Sequence, residues 1–249
     1  MSKWMAAAAT ALALAAAPMA AAAQGALSGD RVATNGGELV IHPVNHASLV
    51  MSYRGRIIYV DPVGGIDPYA ALPKPDLIIV TDIHGDHLNA GTLNALVAPG
   101  TPIVAPAAVR AALPANLQAR VKVLGNGQSA SVDGLPIEAI GAYNLTEDRL
   151  QYHAKGRGNG YVITFGDKRV YVAGDTEAVP EMLALQNIDV AFVPMNLPFT
   201  MTPQQAAQAV RTFKPRIVYP YHSRGSDLAE FARLVGADAG VEVRQRAWY

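Results

Sequence analysis

Short runs of β-branched and other apolar residues alternate with polar turns along the first third of the chain. Each run is five or six residues long, which is the length of a strand and too short for most helices. The predicted strands cover Glu38–His42, Ala47–Ser52, Arg56–Val60 and Asp76–Val80. The longer leucine-containing run Leu88–Val97 predicts a helix, so a strand-to-helix loop lies between the last two elements.

The order of predicted elements starts again after the tight turn Gly125-Asn126-Gly127. Before this turn, the pattern predicts a strand at Ile103–Val104, a helix at Ala107–Leu113 and a strand at Val121–Leu124. After it come predicted strands at Ser129–Val132, Ile137–Ala142, Tyr161–Phe165, Arg169–Val172 and Arg216–Val218, and helices at Pro180–Leu185 and Leu228–Leu234. No residue-level repeat is visible, but the repeated order predicts two similar halves packed sheet on sheet with helices outside. This α/β arrangement is a four-layer αββα sandwich.

Composition limits the function classes. The 249 residues are 51% hydrophobic, enough for one large core, so we expect one domain at residues 38–249 after a flexible, Gly/Ser/Asn-rich lead-in at residues 24–37. The 20 Lys and Arg balance the 20 Asp and Glu without a basic block, so we expect no nucleic-acid partner. The chain has no cysteine, so any metal must be bound by nitrogen and oxygen ligands. Nothing in the composition indicates an oligomeric state.

Residues 1–23 have the pattern of a secretory signal peptide. Lys3 precedes the uncharged apolar run Ala6–Ala17, and Ala21–Ala23 forms a small-x-small cleavage site. The alternative is a membrane anchor, but the run consists mainly of alanine and is interrupted by Pro18, which makes it a weak spanning segment. We therefore expect a periplasmic or secreted protein with no stable membrane anchor after cleavage.

The loop after the fourth predicted strand carries the densest chemistry. It packs two carboxylates and two imidazoles, Asp82, His84, Asp86 and His87, into six residues around Gly85, which permits backbone angles closed to other residues. Ligand sites of open α/β sheets lie at such carboxyl ends of strands. Imidazole and carboxylate suit zinc and similar ions, although a His/Asp hydrogen-bond network that caps the helix would use the same residues.

Other ionisable residues stand at comparable positions. Asp175 and His222 each follow a predicted strand, and His153 lies in a glycine-rich turn before the second hairpin. His42 and His46 stand near the start of the first sheet, and we expect a structural role for His42. Three strand-end positions in different parts of the chain therefore carry candidate metal ligands.

This combination resembles the metallo-β-lactamase superfamily, whose signature T-H-x-H-x-D-H is followed downstream by a His, an Asp and a His. The resemblance covers about residues 38–249 and implies the αββα sandwich of that type and a hydrolase with two divalent metal ions, zinc in the first instance. It implies His84 and His153 as ligands of the first metal, Asp86, His87 and His222 as ligands of the second, and Asp175 as the bridging carboxylate.

Within that superfamily, three segments look like the branch that contains L-ascorbate-6-phosphate lactonase and N-acylphosphatidylethanolamine phospholipase D. They are Asn45-His46-Ala47-Ser48, Gly174-Asp175-Thr176 and Tyr221-His222. That branch consists mostly of hydrolases whose substrates are uncertain.

Asp82 departs from the signature, because it stands where the family has its first histidine. Either the first metal has an oxygen ligand there, or it lacks that ligand. A carboxylate makes the centre less positive and a weaker Lewis acid, and it favours manganese or iron over zinc because it is harder than imidazole. His46 is then either a replacement ligand or a hydrogen-bond donor to a ligand, or a purely structural residue.

The implied chemistry is attack of a metal-bound hydroxide on an ester, lactone, amide or phosphodiester bond of a small molecule, with Asp86 as the orienting base. Lys155 and Arg157 are candidates to bind an anionic substrate, or are simply solvated loop cations. Tyr143, Asn144 and Asn196 are candidates to line the cleft.

Two other functions are compatible with these residues. A catalytically idle metal-binding member is suggested by Asp82. Di-iron redox chemistry would need a flavin module to deliver electrons, and the chain has no room for one. Hydrolysis is therefore the preferred interpretation.

Cleavage of residues 1–23 predicts that exported protein begins at Gln24. Intact-mass measurement on protein recovered from the periplasm or medium checks this. A mass that retains Met1–Ala23 would instead place the protein in a membrane-anchored class.

Overall fold

The computed structural model describes Met1 and residues 27–249. The predicted signal peptide, apart from Met1, therefore lies outside the described residues. Within the described part, no helix is long and apolar enough to cross a membrane.

Two seven-stranded sheets form the centre of the molecule, and in each the strands follow one another in chain order. The strands of the first sheet are β1 (Asp30–Thr34), β2 (Gly37–Asn45), β3 (Ser48–Tyr53), β4 (Arg56–Val60), β5 (Leu77–Ile79), β6 (Ile103–Ala105) and β7 (Val121–Val123). The strands of the second sheet are β8 (Ser129–Val132), β9 (Leu135–Ala142), β10 (Gly158–Phe165), β11 (Lys168–Val172), β12 (Val190–Pro194), β13 (Ile217–Tyr221) and β14 (Glu242–Val243). In both sheets the first four strands pair antiparallel and the remaining pairings are parallel. The predicted duplication of element order is therefore present.

In the part of the chain that the structure describes, six α-helices cover the outer faces of the sheets. They are α1 (Ala90–Leu96), α2 (Ala107–Ala112), α3 (Ala115–Gln118), α4 (Pro180–Leu183), α5 (Pro203–Phe213) and α6 (Leu228–Val235). Single 3₁₀ turns occupy Asp67–Tyr69, Glu147–Arg149 and Ala237–Ala239.

The apolar residues divide into three cores, which define the four layers. Strand β4 shows how this arises, because Ile58 and Val60 face the opposite sheet whereas Ile57 and Tyr59 face the helices α1–α3. A strand buried on both faces reads as a continuous apolar run, which is why the sequence predicted it. The αββα sandwich is confirmed.

Several elements differ from the sequence prediction, and α3, β12 and β14 were not predicted. The flexible lead-in is wrong for residues 30–37, because β1 pairs along its length with β2 and Val32 joins the central core. Helix α5 was not predicted as a separate element. It begins with a capping box, in which Thr202 and Gln205 each bond the backbone of the other.

The parallel pairings bring the carboxyl ends of β4, β5, β11 and β13 to the edge of the two sheets where the ionisable residues lie. Asp61, His222 and His46 follow strands there and have positive φ angles of 44°, 44° and 53°. Positive φ is uncommon for residues other than glycine, so the surrounding structure holds these turns in place.

Gly160 in β10 tests the close packing behind this edge. A Cβ at residue 160 would lie 2.7 Å from the carbonyl oxygen of Ala173. We expect Gly160→Ala to lower the free energy of unfolding by about 1–3 kcal/mol through overpacking, measured by urea denaturation. Gly125→Ala, whose Cβ would have only ordinary contacts, is the matched control with a change within about 0.5 kcal/mol. Equal stability of both variants would contradict the packing.

Candidate metal centre

Side chains from several loops converge at this edge into two groups, in each of which the possible ligand atoms lie within 4.8 Å of one another. The first cluster consists of Asp82, His84 and His153. The second cluster consists of Asp86, His87, Asp175 and His222. All seven residues predicted as metal ligands are therefore brought together, with Asp175 adjacent to both clusters. Their role as metal ligands stays a prediction.

The second cluster is compact and opens to solvent on one side. His87 Nε2 lies 3.2 Å from Asp175 Oδ2, and His222 Nε2 lies 3.3 Å from Asp175 Oδ1 and 3.3 Å from Asp86 Oδ2. His87, Asp175 and His222 are buried, whereas the side chain of Asp86 is 45% exposed. The cluster is therefore reached from solvent past Asp86.

Unpaired buried atoms indicate what this centre fits. Among the described residues, His87 Nε2, His153 Nε2 and Asp175 Oδ1 are buried without a hydrogen-bond partner. Such atoms are costly unless something satisfies them, and here imidazole nitrogens and a carboxylate oxygen point at a common region. This donor set fits a divalent first-row cation.

The carboxylates of both clusters are ionised. Burial raises the pKa of Asp175, but the neighbouring His222 and His87 outweigh it and hold the pKa well below its usual range. Burial also raises the pKa of Asp86, but its hydrogen bonds with His222 and His46 outweigh burial and lower that pKa. At Asp82 the hydrogen bond with His84 likewise outweighs burial, so the pKa of Asp82 is lowered. Ionised carboxylates are the state that binds a cation.

The first cluster contains an arginine as well as its three candidate ligands. His84 Nδ1 lies 2.8 Å from Asp82 Oδ2. Arg157 Nε donates to Asp82 Oδ1 at 3.3 Å, and its Nη2 donates to Asp82 Oδ2 at 3.2 Å. The sequence proposed Arg157 for substrate binding, whereas its guanidinium is paired with this carboxylate.

Asp61 supports the second cluster and was missed by the sequence analysis. Its Oδ2 accepts a hydrogen bond from Thr81 Oγ1 at 2.6 Å and lies 2.8 Å from His87 Nδ1, and its Oδ1 accepts from the Thr81 N–H at 2.7 Å. Burial raises the pKa of Asp61. Burial alone would lower the pKa of His87, but the carboxylates of Asp175 and Asp61 raise it well above its ordinary value. The sequence did carry a signal for Asp61, because this residue follows a strand, β4, just as Asp175 follows β11.

His46 lies beside the second cluster. Its Nε2 is 3.3 Å from Asp86 Oδ2, and its ring lies against that of His222 with centroids 3.8 Å apart. Its Nδ1 is 2.8 Å from the hydroxyl of Tyr249, which also accepts the Ser223 N–H. His46 is therefore placed to orient Asp86, and Tyr249, which the sequence analysis did not predict as a site residue, contacts the other nitrogen of its ring.

Tyr143, Lys155 and Asn196, predicted to line the cleft or bind substrate, have polar partners in neighbouring loops. Tyr143 donates its hydroxyl hydrogen to Glu181 at 2.8 Å, and the ammonium of Lys155 lies 3.7 Å from the same carboxylate. Asn196 donates its amide to the carbonyl of Arg224. These contacts pair the three side chains with neighbouring loops, and their role in the cleft stays a prediction.

Asn144 and His42 have structural contacts. Asn144 donates its backbone N–H to the carbonyl oxygen of His153 and its side-chain amide to the carbonyl oxygen of Phe199, which also lies 3.1 Å from His153 Nδ1. Asn144 thus orients His153 from behind. His42 Nδ1 lies 2.8 Å from the carbonyl oxygen of Ser28, outside both clusters.

Comparisons with known proteins fit this centre. A family model described as a beta-lactamase superfamily domain matches residues 40–222. The chain belongs to this superfamily. It is also 33% identical over 217 residues to a UPF0173 metal-dependent hydrolase of Thermococcus kodakarensis, across 81% of this chain and 94% of that relative. Within the superfamily, the chain is thus a member of the UPF0173 family of metal-dependent hydrolases.

Solved structures support the same grouping. A protein of Parabacteroides distasonis, described as a candidate metal-dependent hydrolase, is 42% identical with a TM-score of 0.82, and the match covers 88% of this chain and 98% of that one. The metallo-β-lactamase fold protein YhfI of Bacillus subtilis is 12% identical with a TM-score of 0.65, covering 83% and 95%. The second likeness shows the fold alone, which for this UPF0173 member is the metallo-β-lactamase fold.

Asp61→Asn tests the support of the metal centre. Asparagine keeps the size of the side chain but removes the charge that holds the His87 ring, so we expect metal affinity to fall about 10–100-fold. Competition with a chromogenic chelator measures it. Asp67→Asn, an exposed carboxylate in the same loop, should leave the affinity unchanged. An unaltered affinity in Asp61→Asn would remove its assigned role.

Proposed function

We propose that this UPF0173 member hydrolyses an ester, lactone, amide or phosphodiester bond of a small molecule at the second cluster. The observation that carries the proposal is the convergence of buried, unpaired donors of His87 and Asp175 beside the solvent-exposed carboxylate of Asp86. A bound divalent cation supplies Lewis acidity, lowering the pKa of water to about 7 and polarising an oxygen of the substrate. His87, His222, Asp86 and Asp175 would hold that cation.

The surrounding side chains set the orientation of the reactants. Asp86 is the carboxylate that substrate and water meet first, and contacts with His46 and His222 hold its Oδ2 in place. Its other oxygen, 3.9 Å from His87 Nε2, accepts a hydrogen bond from a water in the cleft and directs that water toward the substrate. Asp86 therefore acts as the orienting base of the sequence prediction.

Several finer predictions stay predictions. Two imidazoles and two carboxylates in the second cluster suit zinc, with manganese or iron as the alternatives, and two ions are the family expectation. The geometry lends no support to anion binding by Lys155, which faces Glu181. Export to the periplasm or the medium depends on residues 1–23, and the lactonase and phospholipase D branch remains a resemblance.

Removing ligands tests the proposal. We expect His87→Ala and His222→Ala to lose metal by elemental analysis, to lose hydrolysis of ester, lactone, amide and phosphodiester panels, and to melt at lower temperature, since a bound ion stabilises the native state. His42→Ala, outside both clusters, is the matched control and should keep its metal.

Two outcomes would contradict the proposal in different ways. Full metal occupancy in His87→Ala and His222→Ala would place the ion elsewhere. A metal-loaded wild type that turns over none of the four bond classes would favour the catalytically idle member.

A further inference from the structure

The first cluster already holds a cation. The guanidinium of Arg157 contacts both carboxylate oxygens of Asp82, at 3.3 Å and 3.2 Å, in the two-pronged arrangement that makes arginine–carboxylate pairs specific. Its Nη2 also lies 3.3 Å from His84 Nε2 and donates to the carbonyl oxygen of Tyr152. The side chain of Asp82 is only 3% exposed, so this pair is shielded from solvent.

In the first cluster, most of the atoms that could bind a metal already have polar neighbours. Both oxygens of Asp82 bond Arg157, and both ring nitrogens of His84 have neighbours, Nδ1 at Asp82 and Nε2 at Arg157. Only His153 Nε2 is left unpaired, and it lies nearer to Asp175 Oδ2, at 3.1 Å, than to Asp82 Oδ2, at 4.0 Å. In the second cluster, His87 Nε2 and Asp175 Oδ1 make no hydrogen bond; they lie 3.2 Å from Asp175 Oδ2 and 3.3 Å from His222 Nε2 respectively, so their neighbours are other members of the cluster and not a fixed cation.

Charge separates the two clusters in the same way. The first has one carboxylate, which the permanently charged guanidinium neutralises. The second has two carboxylates, Asp86 and Asp175, whose combined negative charge balances that of one divalent cation. A divalent ion placed beside Arg157 would be repelled by the guanidinium, and Asp82, the one carboxylate of the first cluster, is already paired with that guanidinium.

We propose that this protein binds a single divalent ion, in the second cluster, and that the guanidinium of Arg157 takes the place of a second ion. The inference rests on the proposed function for the second cluster being a metal centre. His153 then serves the second cluster through Asp175. The side chain of Arg157 remains 21% exposed, so this fixed cation borders the cleft.

Metal counting tests the inference. The full chain is stripped with a chelator, titrated with Zn²⁺ or Mn²⁺, separated from free metal, and its ion content is measured per chain. We expect one ion in the wild type and in Lys155→Met, which removes an exposed cation from the same loop. We expect two ions in Arg157→Met and in Asp82→His/Arg157→Met, where the site is freed and, in the double variant, given an imidazole.

The outcomes separate this inference from the function. Two ions of similar affinity in the wild type would overturn the inference and leave the hydrolase proposal standing. One ion in the wild type and still one in both folded Arg157 variants would also overturn it, because the guanidinium would not be what excludes the second ion. A wild type that binds no ion would overturn both proposals.

Discussion

The contact between Asp61 and His87 is the interaction on which the metal centre depends. Both side chains are fully buried, so each would be costly without the other, and Thr81 satisfies the remaining lone pairs of Asp61. The contact ties the loop after β4 to the loop after β5 and directs His87 Nε2 at the second cluster. Because Asp61 contacts Nδ1 and fixes the ring, His87 Nε2 is left without a hydrogen-bond partner and is available to bind a cation.

The two halves of the fold each place a carboxylate after their fourth strand, and the two carboxylates have different roles. Asp61 follows β4 and Asp175 follows β11, the fourth strand of each half, so both carboxylates reach the same edge. In the first half His87 stands between the carboxylate and the cluster, and Asp61 can only orient an imidazole. In the second half nothing intervenes, and Asp175 faces the histidines of both clusters directly.

The sequence predicts most of the strands and the site residues that directly follow them. Apolar runs buried on both faces marked the strands, and parallel pairing brought Asp86, Asp175 and His222 to one edge. Loop geometry was beyond reach. Lys155 and Arg157 are two residues apart, yet the turn at Gly156, with φ of 84°, directs them to Glu181 and Asp82 respectively. Strand β1 was missed because only Val32 of its five residues is buried, so it lacks the apolar run that marks the other strands and is defined by its pairing with β2.

Asp82 and Arg157 change the meaning of the departure from the family signature. Considered alone, a carboxylate in place of the first histidine is a harder metal ligand. A carboxylate can equally accept the two-pronged contact of a guanidinium, which a single imidazole cannot, and Asp82 makes that contact with Arg157. The guanidinium is a fixed cation at the first cluster that neither exchanges nor depends on metal supply. Asp82 in the loop after β5 and Arg157 in the loop before β10 therefore form one electrostatic unit, in which the guanidinium balances the charge of the carboxylate.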